Sequence, residues 1–241
     1  MTPEAIRRRG ATANRVLTIL KAALNEAYRE GLIPINDAWQ RVKAFRKVDS
    51  ARIRYLTDDE ARRLVNACPS DFRALVIGGL MTGCRYGELA ALVVEDFNVD
   101  SGTITIRISK SGKPRHVALS TEGSEFFAHQ CLGKPPGALL FTKASGRKWS
   151  ASDQQRPVAA AYVSAKIAPI TFHGFRHTYA SRLAMKGVPL AVIAAQLGHA
   201  DIRMVEKHYG HLAPNYVADT VRAAFGTMGL VETDNVVPLT G

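Results

Sequence analysis

The sequence predicts a mainly α-helical chain that carries a small antiparallel β-sheet (α+β). Apolar residues recur at three- and four-residue steps along residues 12–31 and through most of the chain beyond Ser150, as helices require. Only one stretch, Thr103 to Ile108, alternates in the manner of a strand with one buried face. A Ser-, Gly- and Pro-rich turn from Ser109 to Pro114 follows it, so Arg115 to Leu119 can return as the paired strand.

The elements follow in order. Val16, Leu17, Leu20, Ala23, Leu24 and Ala27 form the apolar stripe of a first helix, and Gly31 suits its stop. Leu32-Ile33-Pro34 ends it, and Asp37 to Phe45 reads as a short second helix. Arg46 to Tyr55 is basic and weakly patterned, as a linker is. Thr57 and Glu60 have the spacing of a capping box, which predicts a helix through about Ala67. Asp71 to Met81 is an apolar helix stopping near Gly83. Helices are expected at 151–166, 172–186, 189–197, 201–209 and 214–226, and the tail after Gly229 lacks periodicity. The domain reading is a partial helical segment over 1–47, a linker over 48–55, a main domain over 56–228 and a tail over 229–241.

With 46% hydrophobic residues the chain can bury a real core. No run of 18 apolar residues and no signal-like start is present, so a soluble, cytoplasmic protein without membrane contact is expected. Cys68, Cys84 and Cys131 are odd in number and widely spaced, and read as reduced thiols rather than a disulfide frame or zinc site. Thirty-two Lys and Arg against 21 Asp and Glu give a net charge of +11, which favours a polyanion partner and above all nucleic acid. A merely solvated basic surface is the alternative.

The residues that carry chemistry are scattered over half the chain. Arg85 follows an apolar helix and a glycine; alone it reads as a surface charge, and Glu88 three residues on can pair with it. Lys110 and Lys113 sit in the predicted hairpin turn between Arg107 and Arg115, where a tip lysine could reach a DNA groove. His173 and Arg176 lie one turn apart near a helix start, with Thr171 as N-cap, and such an end favours a bound phosphate. His177 adjoins Arg176, must point elsewhere, and reads as a hydrogen-bonded interior histidine. His199 follows Leu197-Gly198 at a helix corner, and Tyr209 closes the next helix beyond the basic run Arg203, Lys207 and His208. As bare tyrosines, Tyr28, Tyr55, Tyr86, Tyr162, Tyr179 and Tyr216 have equal claims. A metal reading would use His199, His208 and His211, without a recognised ligand arrangement to support it. No phosphate-binding loop ending in Lys-Ser or Lys-Thr suggests ATP dependence.

Taken together, Thr82–Leu89, Lys110, His173–His177 and Leu197–Tyr209 resemble the four ordered motifs of the tyrosine recombinase (phage integrase) family. The resemblance runs from Leu56 to about Ala224. It implies that Arg85 and Arg176 bind a scissile phosphate with His173 and His199 assisting, that Glu88 and His177 support them, and that Lys110 is the general acid. It implies further that Tyr209 forms a 3′-phosphotyrosine without metal, ATP or any other cofactor. Arg107, Lys113, Arg115, Arg203 and Lys207 are the expected DNA-contacting residues. The implied partner is double-stranded DNA, bound as a homo-tetramer, with a monomer when free, in a bacterial or phage-encoded, nucleoid-associated protein. A catalytically silent DNA-binding module of the same fold is the second reading, and a metal-dependent nuclease the third. Two departures stand out: His199 and Tyr209 are ten residues apart, one more than in many relatives, and residues 1–47 match only the end of the family's amino-terminal clamp. A truncated form is therefore expected.

Overall fold

A computed structural model describes residues 2–46, 48, 53–107, 114–199, 201–212, 221, 222, 224 and 225. The backbone divides into two compact units, Met1–Arg52 and Ile53–Gly241.

In the first unit, helix α1 runs Pro3–Arg29, longer at its start than apolar periodicity suggests. Thr2 caps it through its side chain and Pro3 occupies the first turn, where a missing N–H costs nothing. Helix α2 is a single turn, Asp37–Gln40, shorter than expected. Asn25 Oδ1 accepts from Trp39 Nε1 at 2.7 Å, and both ends of the Asn14 amide pair with the Phe45 backbone, at 2.8 and 2.9 Å. Polar side chains thus fasten the return segment to α1.

The second unit is helical with one small sheet. Helix α3 (Asp58–Ala67) begins at the capping box Thr57/Glu60, with both reciprocal bonds made. Helices α4 (Ser70–Thr82) and α5 (Tyr86–Leu89) follow. Strands β1 (Phe97–Asn98), β2 (Thr103–Ile106) and β3 (Arg115–Ala118) pair antiparallel in that order, with Ile104 opposite Val117 and Ile106 opposite Arg115. Helices α6 (Thr121–Cys131), α7 (Gln155–Ser164), α8 (Phe172–Met185), α9 (Leu190–Leu197) and α10 (Ile202–Tyr209) complete it. The mainly α architecture with a small antiparallel sheet is as expected. Strand β1 and helix α6 are additions; α6 hides because Gly123 occupies one buried position and the adjacent Phe126 and Phe127 blur its stripe. The hairpin tip, most of the predicted helix 214–226 and the tail beyond 229 lie outside the described residues; Val221, Arg222, Ala224 and Phe225 are helical.

Two apolar clusters share α8. Its first turns put Phe172 and Phe175 among Phe72, Leu75, Phe127 and Phe141, while Ala180 and Ala184 join Ile193, Leu197, Val205 and Tyr209. Arg176 and His177 fall at the seam between these clusters. Polar groups at such a seam must be satisfied by partners brought from other elements.

Candidate active site

Helix α4 ends at Gly83, whose φ of 63° is left-handed. A Cβ there would come within 2.5 Å of the Tyr179 ring and 2.9 Å of Leu197, so neither the conformation nor the space admits another residue. This turn sets Arg85 at the N-cap of α5. Glu88 folds back to accept from the Arg85 backbone N–H and from Arg85 Nη1, both at 2.9 Å. The Arg85 side chain is 31% exposed and that of Glu88 only 6%.

Arg115 approaches the same carboxylate from β3. Its Nη1 and Nη2 donate to the two Glu88 oxygens at 3.1 and 2.7 Å, and its Nε donates to the Gln196 carbonyl at 3.1 Å. Burial alone would raise the Glu88 carboxyl; hydrogen bonds from Arg115 and from the Arg85 backbone outweigh it and hold the group below its ordinary value. Arg115, expected among the DNA-contacting groups, has a side chain 9% exposed.

Arg176 lies in the second turn of α8 and is 2% exposed. Its Nη1 donates to the Gly83 carbonyl at 2.9 Å and its Nη2 to the Leu197 carbonyl at 2.6 Å. These carbonyls mark the carboxy-terminal ends of α4 and α9, where partial negative charge accumulates, so one guanidinium closes two helix ends. Burial first, then the charge of Arg85, brings its pKa down to about 10, and it remains cationic at neutral pH. Thr171 stands at the N-cap of α8, but its side chain makes no capping bond.

His173 is exposed beside this pair, and its pKa is lowered by burial on its inner side and then by Arg176 and Arg85. His199 follows the left-handed Gly198 at the end of α9; burial, Arg176 and Arg85 lower it as well. The His173 and His177 rings meet edge to face with centroids 4.8 Å apart. His177 Nδ1 lies 2.6 Å from the Tyr209 hydroxyl. Burial, then His173 and His208, push His177 down to about 4, whereas burial drives the Tyr209 phenol up to about 12. With those values both groups are neutral at pH 7, and one hydrogen bond joins the phenol to Nδ1.

The structure therefore gathers Arg85, His173, Arg176, His177, His199 and Tyr209 into one neighbourhood within the second unit. Lys110 and Lys113 lie outside the described residues. Arg107 is half exposed and held by Glu95 at 2.8 Å and Asp96 at 2.5 Å. Arg203 is 85% exposed and pairs with Asp201 at 2.5 Å, and Lys207 is exposed on α10. Among the described residues no three His, Cys, Asp or Glu side chains are placed to hold a metal ion. Cys84 is buried, and burial raises its thiol to about 11, so it is no nucleophile.

Residues 54–215 match the family model described as the phage integrase family. The chain belongs to this family, that of the tyrosine recombinases. It is 30% identical over 231 residues to the integrase of Salmonella phage P22, covering 90% of this chain and 59% of that protein. It is 32% identical over 212 residues to the tyrosine recombinase XerC of Thermodesulfovibrio yellowstonii, covering 79% and 68% of the two chains. The chain thus spans a little under three fifths of the P22 integrase's length. The fold is shared with the Tn1549 transposon integrase, solved in complex with a circular intermediate DNA, with a TM-score of 0.71, 20% identity and coverage of 89% and 79%. Among the described residues no helix is long and apolar enough to cross a membrane.

Proposed function

We propose that the chain breaks and rejoins DNA strands at specific sites, with Tyr209 as the nucleophile. The observation that carries this is the Tyr209 hydroxyl 2.6 Å from His177, one residue from Arg176 and in the same cluster of charges as Arg85, His173 and His199. In-line attack would form the Tyr209 Oη–phosphorus bond and break the bond from phosphorus to the 5′-oxygen. Arg85 and the unused N–H groups of Arg176 would stabilise the non-bridging oxygens, with His173 and His199 as further donors. His177 Nδ1, 2.6 Å from the phenol oxygen, would be the nearest acceptor for its proton. The leaving 5′-oxygen takes a proton from a hairpin lysine, Lys110 or Lys113. A phosphotyrosine retains the energy of the broken diester, so rejoining needs neither metal nor ATP.

The partner on this reading is double-stranded DNA. The family relatives and the DNA-bound Tn1549 integrase support it, as does the net charge of +11. Residues 1–47 would form part of a DNA clamp and residues 56–228 the catalytic domain. Assembly as a homo-tetramer on DNA, from monomers, in the bacterial cytoplasm belongs to the same proposal.

One observation favours a second reading, a DNA-binding module that performs no cleavage. Tyr209 is only 4% exposed and its phenol is strongly protonated. A nicked suicide DNA, from which the cut fragment diffuses away, separates the two. A denaturation-resistant adduct formed by the unaltered chain and lost in Tyr209→Phe, with DNA binding retained, supports the enzyme. Binding without any adduct supports the silent module.

A further inference from the structure

We propose that Arg115 is a positioning residue, fixing Glu88 and through it the Arg85 guanidinium against the Gly198–His199 corner. For its catalytic consequence this rests on the recombinase reading above. Each Glu88 oxygen has two donors: Oε1 receives Arg85 Nη1 and Arg115 Nη1, and Oε2 receives the Arg85 backbone N–H and Arg115 Nη2. The carboxylate is thus clamped between two arginines and cannot turn without breaking bonds to both. Two cations and one anion leave a net charge of +1. Without Arg115, Glu88 would cancel the charge of Arg85, and an incoming phosphate would meet a neutral pair.

The third link runs to α9. Arg115 Nε holds the Gln196 carbonyl, and a Cβ on Gly198 would come within 2.8 Å of Arg115 Cδ. The arginine stem therefore forms the floor on which the His199 corner rests. Its donors are nearly exhausted: Nε is used, Nη2 serves Glu88 with Cys84 Sγ 3.7 Å away, and Nη1 serves Glu88. At most one strong N–H remains for any ligand, so Arg115 is not built to grip a phosphate in the bidentate manner of a free guanidinium. It belongs to β3, the strand paired with β2. One side chain thereby links β3, the Glu88–Arg85 pair and the Gly198–His199 corner.

The test uses the full chain and its Arg115→Lys variant, which keeps the charge but loses the planar fork. Single-turnover adduct formation is measured on nicked DNA at saturation, alongside affinity across a salt series. The expected result is a rate at saturating DNA lowered at least about tenfold, with affinity and salt slope unchanged, because misplacing a group near the reacting atoms costs rate rather than binding. Combining Arg115→Lys with Glu88→Gln should cost little more than either alone, since both act on one network. A full rate at saturation overturns the proposal, as does a DNA affinity lowered as far as the rate, the mark of a group that itself binds the ligand. If Arg115→Lys does not fold, Glu88→Gln alone decides: an unimpaired rate at saturation overturns the brace. If the unaltered chain forms no adduct, the recombinase reading fails separately. NMR signals of the Arg85 Nε–H and the Glu88 carboxyl then report the brace directly: shifts in both upon Arg115→Lys support it, and unchanged signals overturn it.

Discussion

The Tyr209 hydroxyl and His177 Nδ1 are hydrogen-bonded across 2.6 Å, joining the end of α10 to the second turn of α8. Both groups are held in their neutral forms, the imidazole near 4 and the phenol near 12. On the proposed mechanism the phenol must lose its proton as it attacks phosphorus, with His177 as the nearest acceptor.

Stability should fall as the solution is acidified from pH 7 towards pH 4. A histidine whose folded pKa is depressed to about 4 binds its proton more readily when unfolded, where its value is near 6.5. The stabilisation from keeping His177 neutral is therefore complete above about pH 6.5 and lost as pH falls towards 4. Its ceiling is about 3 kcal/mol for a fully shielded group, less for the partly open ring here. His173, His199 and His208, all lowered, add in the same sense. Urea unfolding at a series of pH values should show the slope, and His177→Gln should flatten it. An unchanged slope in that variant would place the effect elsewhere.

Replacing Gly198 by Ala should cost roughly 1–3 kcal/mol, through strain at positive φ and through the displaced Arg115 stem. The φ of 67° and the 2.8 Å approach to Cδ are independent reasons for the same outcome. Chemical denaturation measures it. A loss below a few tenths of a kcal/mol would show that the corner relaxes freely.

Arg176→Lys should destabilise the DNA-free protein by roughly 2–4 kcal/mol, as one ammonium cannot bridge the Gly83 and Leu197 carbonyls and leaves buried acceptors unpaired. Thermal or urea unfolding without DNA is the measurement. A variant as stable as the parent would mean that Arg176 is kept for ligand binding alone.

DNA affinity should drop steeply with salt, the log–log slope being about −0.9 for each phosphate neutralised. Exposed Lys207 and Arg203 are the described cations on α10 to vary first, Lys207→Ala lowering the slope by about one unit if it touches a phosphate. A flat response would contradict a charge-driven interface.

Much of this architecture was legible because local rules and tertiary packing agree. The Thr57/Glu60 box starts α3 as read, and Gly83 and Gly198 stop α4 and α9 where only a left-handed residue fits. The gathering of Arg85, His173, Arg176, His199 and Tyr209 was legible only as a resemblance, since nothing in local periodicity brings residues 85 and 209 together. Arg115 was expected to contact DNA, and the strand pattern also carried a signal of its burial. Arg115 alternates in phase with the buried Val117 on β3, so it shares the inward face, and only the position of Glu88 explains how a charge can stand there. The bond from His177 to Tyr209 was hidden, because adjacency to Arg176 fixes the direction of His177 around α8 but not what meets it.

The most direct test is to locate the covalent bond. After reaction with nicked suicide DNA and digestion by trypsin and nuclease, the peptide from His208 to Arg222 contains His208, Tyr209 and Tyr216. Fragmentation by mass spectrometry should place the phosphonucleotide on the Tyr209 oxygen alone. A nucleotide on His208 or Tyr216, or an unmodified peptide despite cleaved DNA, would contradict Tyr209 as the nucleophile.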